Sequence, residues 1–270
     1  MNIEIIEGDI IHNYIEYMTT AEFIECESGK ITCFGAYDEE TEEIMGVLSA
    51  EVYPEFISIK RIFVCPDFGR EEVESALLDA VTDLPDEIRL PIYVFGTEDE
   101  IDEEIIEANG FMKLPSNYSY IEGQLKDFIN LNASLTEGEL KTLDKILPEE
   151  LENFIFHNSY DDLIQMPGGY IDMDRFSEGS LVLLKKHLID GAILIEESDK
   201  YIQIPYIFAE DNRLLLYAFF ILKKLLFTEY APGAKLRFLI CNGVGADAIK
   251  RIIRNSTEHN ISIFKFKEQD

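Results

Sequence analysis

Displaced by 145 residues, the chain lies on itself: Gly46-Val47-Leu48-Ser49-Ala50-Glu51 meets Gly191-Ala192-Ile193-Leu194-Ile195-Glu196, with no gap through residues 96 and 241. Ile57, Ile59, Ile62 and Phe63 fall on Ile202, Ile204, Ile207 and Phe208. Leu77 falls on Leu222, and Tyr93-Val94-Phe95 on Phe238-Leu239-Ile240. Only seven of the 51 aligned positions are identical, so the weight rests on the order of elements, which recurs at one spacing. A chain that repeats such a unit builds two similar cores, and 270 residues suit two domains of roughly 130 each. The boundary falls near 125–135, giving domains of 1–128 and 129–270.

In each copy a glycine opens an apolar run, 47–52 or 192–195. A polar turn follows, at Tyr53-Pro54-Glu55 or Ser198-Asp199-Lys200, and suggests an antiparallel hairpin. The returning strand, 56–64 or 201–209, begins with period-2 alternation and ends continuously apolar. A helix comes next, with Val73, Leu77, Leu78 and Val81 at helical spacing in the first copy and residues 214–227 in the second. Another strand, 92–95 or 236–241, and a second helix, 100–108 or 246–254, complete the unit. Strand–helix–strand order requires a crossover with locally parallel strands, which makes the fold class α/β (α+β). Between the copies, Ser134 or Thr136 could cap helices carrying Leu140, Leu143, Ile146 and Leu147, and then Leu151, Phe154 and Ile155 beyond Pro148.

Charge narrows the partners. With 53 acidic against 23 basic residues the formal charge is −30, a field that repels phosphate backbones and anionic membrane surfaces. Solubility is the plainest use of that charge, and a cationic partner suits it. Cys26, Cys33, Cys65 and Cys241 form no C-x-x-C pair and read as reduced core thiols. The opening Met1-Asn2-Ile3-Glu4 lacks a basic region before an apolar run. The longest apolar run, 214–222, is followed by Lys223 and Lys224 and falls short of the ~20 residues a membrane span needs. The expectation is a cytoplasmic protein.

Ile62-Phe63-Val64-Cys65-Pro66-Asp67-Phe68, followed by Ser75-Ala76-Leu77-Leu78-Asp79-Ala80, resembles the cofactor segment of the GNAT superfamily of acyl-CoA N-acyltransferases. Asn109-Gly110-Phe111, before a last strand reaching Tyr118 to Ile121, is similar to that family's ending. Asn242 and Ala248-Ile249-Lys250 match the corresponding second-half segment. The resemblance implies two tandem GNAT-like domains, each a mixed central sheet flanked by helices, and acetyl transfer from acetyl-CoA to a primary amine. It implies that backbone N–H groups of Phe63 and Val64 face the reacting carbonyl, and that Gly69, Arg70 and Ser75 line the cofactor. Glu51 is the candidate general base, against the plainer reading of a solvent-facing Glu at a strand end.

The same resemblance exposes departures. The family's R/Q-x-x-G-x-G/A loop uses glycines so that a helix N-terminus can approach the CoA pyrophosphate, yet the three positions here are Gly69, Glu72 and Glu74. Two carboxylates facing phosphates at ~5 Å would repel by on the order of 3 kcal/mol per pair at an effective dielectric near 20. In the second half the positions are Leu214, Tyr217 and Phe219, an apolar helix expected to pack against the other half or a second chain. The family's Tyr acid falls on Ile106 and Ile252. A non-catalytic protein that binds a cationic peptide, a small amine or another protein is therefore the competing reading.

Other features read as ordinary structure. The acidic run 98–104 suits a helix start favoured by its dipole. Asn242-Gly243-Val244-Gly245 and Pro167-Gly168-Gly169, the latter with Asp172 and Asp174, read as turns. His12, His157, His187 and His259 are too scattered for a zinc site, and no metal is expected. Tyr118, Tyr120, Tyr160 and Tyr170 could line a cleft or simply pack.

Overall fold

The computed structural model describes residues 1–53, 56–83, 90–97, 100–131, 133, 138–158, 176–177, 179–197, 201–209, 212–241 and 246–267. The expected turns at 54–55, 198–200 and 210–211, the cap at 134–137, Pro167-Gly168-Gly169 with its two aspartates, Tyr160, Tyr170 and residues 242–245 lie outside them. The chain divides into two compact units, Met1–Ser116 with Ile261–Asp270, and Asn117–Asn260.

The first unit runs β1 (Asn2–Ile6), α1 (Thr20–Glu27), β2 (Thr32–Tyr37), β3 (Ile44–Val52), β4 (Ile57–Val64), α2 (Arg70–Thr82), β5 (Ile92–Gly96), α3 (Glu103–Ala108) and β6 (Phe111–Leu114). Its sheet has the order β1-β2-β3-β4-β5, then the strand Ser262–Phe266, then β6. Among the described residues only β4 and β5 of this sheet pair in parallel. Strand alternation sends Leu48, Ala50, Ile57 and Ile59 to one face, where Val73, Leu77, Leu78 and Val81 of α2 cover them. On the other face, Cys33 and Val47 meet Ile11, Tyr14 and Met18 from the segment before α1.

The second unit runs β7 (Tyr118–Gln124), β8 (Glu139–Thr142), α4 (Pro148–Asn158), β9 (Leu181–Lys185), β10 (Leu188–Glu197), β11 (Ile202–Ala209), α5 (Asn212–Glu229), β12 (Lys235–Cys241), α6 (Ala246–Ile252) and β13 (Thr257–Asn260); Ser262–Phe266 is then β14. Its sheet order is β13-β7-β12-β11-β10-β9-β8, with β11 and β12 the parallel pair. Phe219, Leu222 and Leu226 of α5 and Ile249 of α6 cover Ile193, Ile195, Ile202 and Ile204. Leu151 and Ile155 of α4 cover the opposite face at Val182, Leu184, Ala192 and Leu194.

Each sheet is thus completed by a strand from the far side of a chain crossing. β14 pairs with both β5 and β6, and β7 pairs with both β12 and β13. The compact units therefore differ from the 1–128 and 129–270 division of the sequence reading, because β7 follows β6 in the chain but makes its ladder with β12. A hydroxyl clamp holds each of these strands. Ser262 Oγ donates to Glu103, which also binds Lys113 Nζ at 2.6 Å. Ser119 Oγ donates to Glu258 at 2.8 Å, and Glu258 binds Lys250 Nζ at 2.5 Å.

Two expectations are corrected. Leu140 lies in the edge strand β8 and Leu143 in a single 3-10 turn, so the helix opening the second domain starts only at Pro148. The gapless register also breaks before the last aligned strand. Ile57 pairs with Ile92 and Ile202 with Leu236, so β5 and β12 are offset by 144 and Val94 corresponds to Phe238. Burial enforces the shift, since both of these side chains face the covered side of their sheets.

The glycines that begin the two repeats have one physical cause. A Cβ on Gly46 would lie 2.6 Å from the carbonyl oxygen of Phe63, and one on Gly191 would lie 2.6 Å from that of Phe208. These distances leave no room for a methyl group without moving a strand. Gly46→Ala and Gly191→Ala should each destabilise the protein by about 1–3 kcal/mol, whereas Gly233→Ala, whose Cβ would meet nothing within 4 Å, should leave the denaturation midpoint nearly unchanged.

Candidate functional site

One irregularity in β4 organises the first unit. Ser49 pairs with Arg61 and Ala50 with Ile59, so Lys60 is an extra residue, a β-bulge. The parallel ladder to β5 consists of Ile57 with Ile92, Ser58 with Tyr93 and Ile59 with Val94. Beyond the bulge β4 continues to Val64 and β5 to Gly96 with no further pairing between them among the described residues. The β5-facing backbone groups of residues 61–64 therefore line a wedge that opens at the C-terminal ends of the two parallel strands, a position where α/β sheets bind ligands.

The second unit repeats the device. Leu194 pairs with Tyr206 but Glu196 with Gln203, and the parallel ladder spans only Ile202–Leu236, Gln203–Arg237 and Ile204–Phe238. Pro205 sits in this bulge, 145 residues after Lys60. Having no N–H, proline is tolerated where the ladder is already broken.

At the mouth of the first wedge stands the N-terminus of α2. Gly69 is its N-cap in an extended conformation, φ −67° and ψ 109°, and no side chain caps it. First-turn N–H groups of this kind attract anions. A Cβ on Gly69 would meet nothing within 4 Å, so this glycine is not required for space. Arg70 Nε donates to Glu74 Oε2 at 3.0 Å. Glu74 is 2% exposed, and burial pushes its carboxyl above the usual range despite the neighbouring Arg70. The expectation of two carboxylates facing phosphates is thereby corrected: Glu74 is turned inward and countered by Arg70, while Glu72 remains exposed.

Ser75 Oγ accepts from Asn109 Nδ2 at 2.9 Å, and the same amide donates to Ile105 O at 2.8 Å. These bonds tie α2 to the end of α3. Val64 packs toward α2, whereas Phe63 lies on the opposite face beneath the Arg61 guanidinium, 4.9 Å from its ring centre. Glu51 is 6% exposed and accepts from Lys60 Nζ at 3.0 Å. It is therefore not a solvent-facing residue at a strand end. It lies opposite Ser58, level with the stretch of β4 that is still paired with β5.

A second polar centre shares that face of the sheet. Glu22, buried on α1, accepts from Ser49 Oγ at 2.7 Å, from Arg61 Nη1 at 2.7 Å and from the Thr19 backbone N–H at 2.9 Å. Arg61 also donates to Tyr17 O at 3.2 Å. These residues were not among the sequence candidates. Their signal was the Thr19-x-x-Glu22 spacing of a capping box, and Lys60-Arg61 interrupting an otherwise apolar strand.

The second unit fills the equivalent space with hydrocarbon. Tyr206 takes the place of Arg61, and Phe208, the partner of Phe63 in the repeat, stacks edge-on to Phe154 of α4 at 6.0 Å. α5 begins at Asn212, so the loop preceding α2 has become helix, and Phe219 is fully buried between Phe128 and Phe238. Ile106 and Ile252 are both core residues, so neither position offers a hydroxyl. Tyr118 is buried, and Tyr120 stacks on Arg237, 4.5 Å from the guanidinium. Among the described residues no three His, Cys, Asp or Glu side chains converge on one point, and no helix is long and apolar enough to cross a membrane.

No family model and no curated protein matches the sequence. Solved structures do match. A tandem GNAT protein from the clavulanic acid biosynthesis pathway superposes with a TM-score of 0.69 at 9% identity over 100% of both chains. A GNAT-family acetyltransferase from Colwellia psychrerythraea gives 0.58 at 15% identity, covering 99% of this chain and 100% of its own. A GCN5-related N-acetyltransferase from Anabaena variabilis gives 0.55 at 13% identity, over 97% of this chain and 72% of its own. With the bulge, the wedge and the helix behind it recurring in both units, the chain has the GNAT fold twice in tandem.

Proposed function

We propose that the first unit binds acetyl-CoA along the open edge of β4 and transfers its acetyl group to a primary amine. The observation carrying this reading is the stretch 61–64 beyond the Lys60 bulge, which is paired with β3 but has no ladder to β5 among the described residues. A strand edge of this kind takes an extended ligand as it would take another strand, through main-chain hydrogen bonds. Acetyl-CoA would supply a thioester carbonyl for the amine to attack. Within the Phe63–Val64 stretch, the backbone N–H that points away from β3, that of Val64, stabilises the negative charge that develops on the carbonyl oxygen. The uncapped N-terminus of α2, beginning at Gly69 and Arg70, holds the pyrophosphate. Ser75 holds α2 against Asn109, so that the helix keeps its aim.

Glu51 is assigned to the amine. Its present partner, the Lys60 ammonium at 3.0 Å, is itself an alkylammonium and supports this reading; an acceptor entering there would surrender its proton to the carboxylate before attack. Titration of acetyl-CoA into the full chain by calorimetry should give saturable binding. No heat at millimolar cofactor would overturn the reading in favour of a non-catalytic binding protein. In the active chain, Glu51→Gln should lower kcat by roughly 10²-fold or more while leaving acetyl-CoA affinity intact.

Glu74 yields a separable expectation. Its carboxyl is held above its ordinary value of 4.5 by burial, so the folded state favours the protonated form. The sign follows: the folded chain bears no penalty at low pH and a growing one as pH rises from 4.5 through the raised value. Glu74→Gln removes that penalty, so the stability of the variant relative to the parent should climb across this interval and then level off. The same change frees Arg70, and acetyl-CoA affinity should rise several-fold. Urea denaturation at stepped pH and the calorimetric titration read the two effects independently.

A further inference from the structure

Away from the wedge, α1 ends in a tight reversal. Gly29 adopts φ +74°, Lys30 N–H donates to Glu25 O at 2.8 Å and Gly29 N–H to Cys26 O at 3.0 Å, the bond pattern of a Schellman cap. This folds the last turn of α1 back over β2. Cys26 Sγ consequently donates to Ile6 O at 3.4 Å, and Ile6 is the residue directly opposite Cys33 in the β1–β2 ladder. Both thiols belong to one small cluster, Cys33 fully buried and Cys26 half-buried, and each is free. The interaction between the two side chains draws Cys26 below the usual thiol range and, with burial, pushes Cys33 above it.

We propose that Cys26 and Cys33 are a reversible modification site, a dithiol that closes to a disulfide between α1 and β2. The division of labour follows from exposure. Cys26 is the accessible sulfur, and its thiolate attacks a low-molecular-weight disulfide such as oxidised glutathione. One glutathione thiol leaves and a mixed disulfide forms on Cys26. Cys33 then attacks the Cys26 sulfur, gives up its proton and expels the second glutathione thiol. Two electrons and two protons pass from the protein to one oxidised glutathione, yielding two reduced molecules.

The linkage would bear on the polar centre of the first unit. Cys26 is one helical turn after Glu22, on the same face of α1, and Glu22 holds Arg61 and Ser49. Closing the disulfide anchors the helix that presents this carboxylate, so the oxidation state sets the rigidity of the face that carries Glu51.

The test equilibrates the full chain in glutathione buffers of graded reduced-to-oxidised ratio, with acid quenching, alkylation and mass spectrometry. The expected product is an intact chain lighter by two hydrogens, which digestion resolves into a peptide linked through Cys26 and Cys33 and which dithiothreitol reverses. Cys33→Ser should stop at the glutathione adduct on Cys26. Parent chain that keeps both thiols free at every ratio, that carries glutathione on Cys26 without closing, or that links through Cys65 instead would overturn the proposal. Mass is the readout, so this outcome is independent of whether acetyl-CoA binds.

Discussion

The architecture turns on one inserted residue in the fourth strand. A bulge at Lys60 raises the local twist, and it comes just where the parallel ladder to β5 gives out after three residue pairs. Without that extra residue β4 and β5 would zip together to their ends, and their main-chain groups would satisfy one another. With it, the strand end is left available to a ligand at the cost of a few ladder bonds, and α2 launches from the same end of the sheet. The second unit retains the frame but breaks it with Pro205, a residue that could not continue the ladder in any case.

Retaining a frame does not mean retaining its contents. In the first unit Glu22 of α1 meets a sheet face that carries Ser49, Arg61 and Glu51, all hydrogen-bonded; in the second, Tyr206, Phe154 and Phe208 occupy that side and α5 extends through the former loop. The clamps on the exchanged strands show how far residue identity can drift under a fixed geometry. Glu103 on a helix binds Lys113 on a strand, whereas Lys250 on a helix binds Glu258 on a strand. A serine from the exchanged strand donates to the glutamate in both. An ion pair is indifferent to which side carries which sign. In each case the lysine holds its glutamate below the usual range.

Much of this was legible in the residues. The repeat, the hairpin and crossover order, and the apolar spacing on α2 follow from period-2 and period-3.6 patterns that burial imposes directly. Gly46 and Gly191 were visible as the start of each repeat, although the carbonyls of Phe63 and Phe208 that exclude a side chain were not. The single-residue slip between β4 and β5 escaped notice, because an apolar strand shifted by one still aligns with an apolar strand. Side-chain pairings across distant elements escaped as well. Glu74 reads as an exposed acid until Arg70 is seen across one helical turn, and Glu51 reads as a solvated strand end until Lys60 rises from the bulge to meet it. Which sheet β7 and β14 join could not be read locally, since both strands carry the same alternation whichever neighbour they find.

The placement of β14 has a consequence for how the chain reaches its native state. Among the described residues β6 is attached to the first sheet only through β14, and Phe95 finds its partner Ile263 across more than half the length of the chain. Contacts of such long range are formed late, because the entropy of closing the intervening loop must be met first. Until residues 262–266 are in place, the edge of β5 is an unprotected template for pairing with other chains. The nascent protein therefore passes through a stage in which β1 to β6 have been synthesised while the β5 edge of their sheet is still open, and the later arrival of residues 262–266 is what closes it.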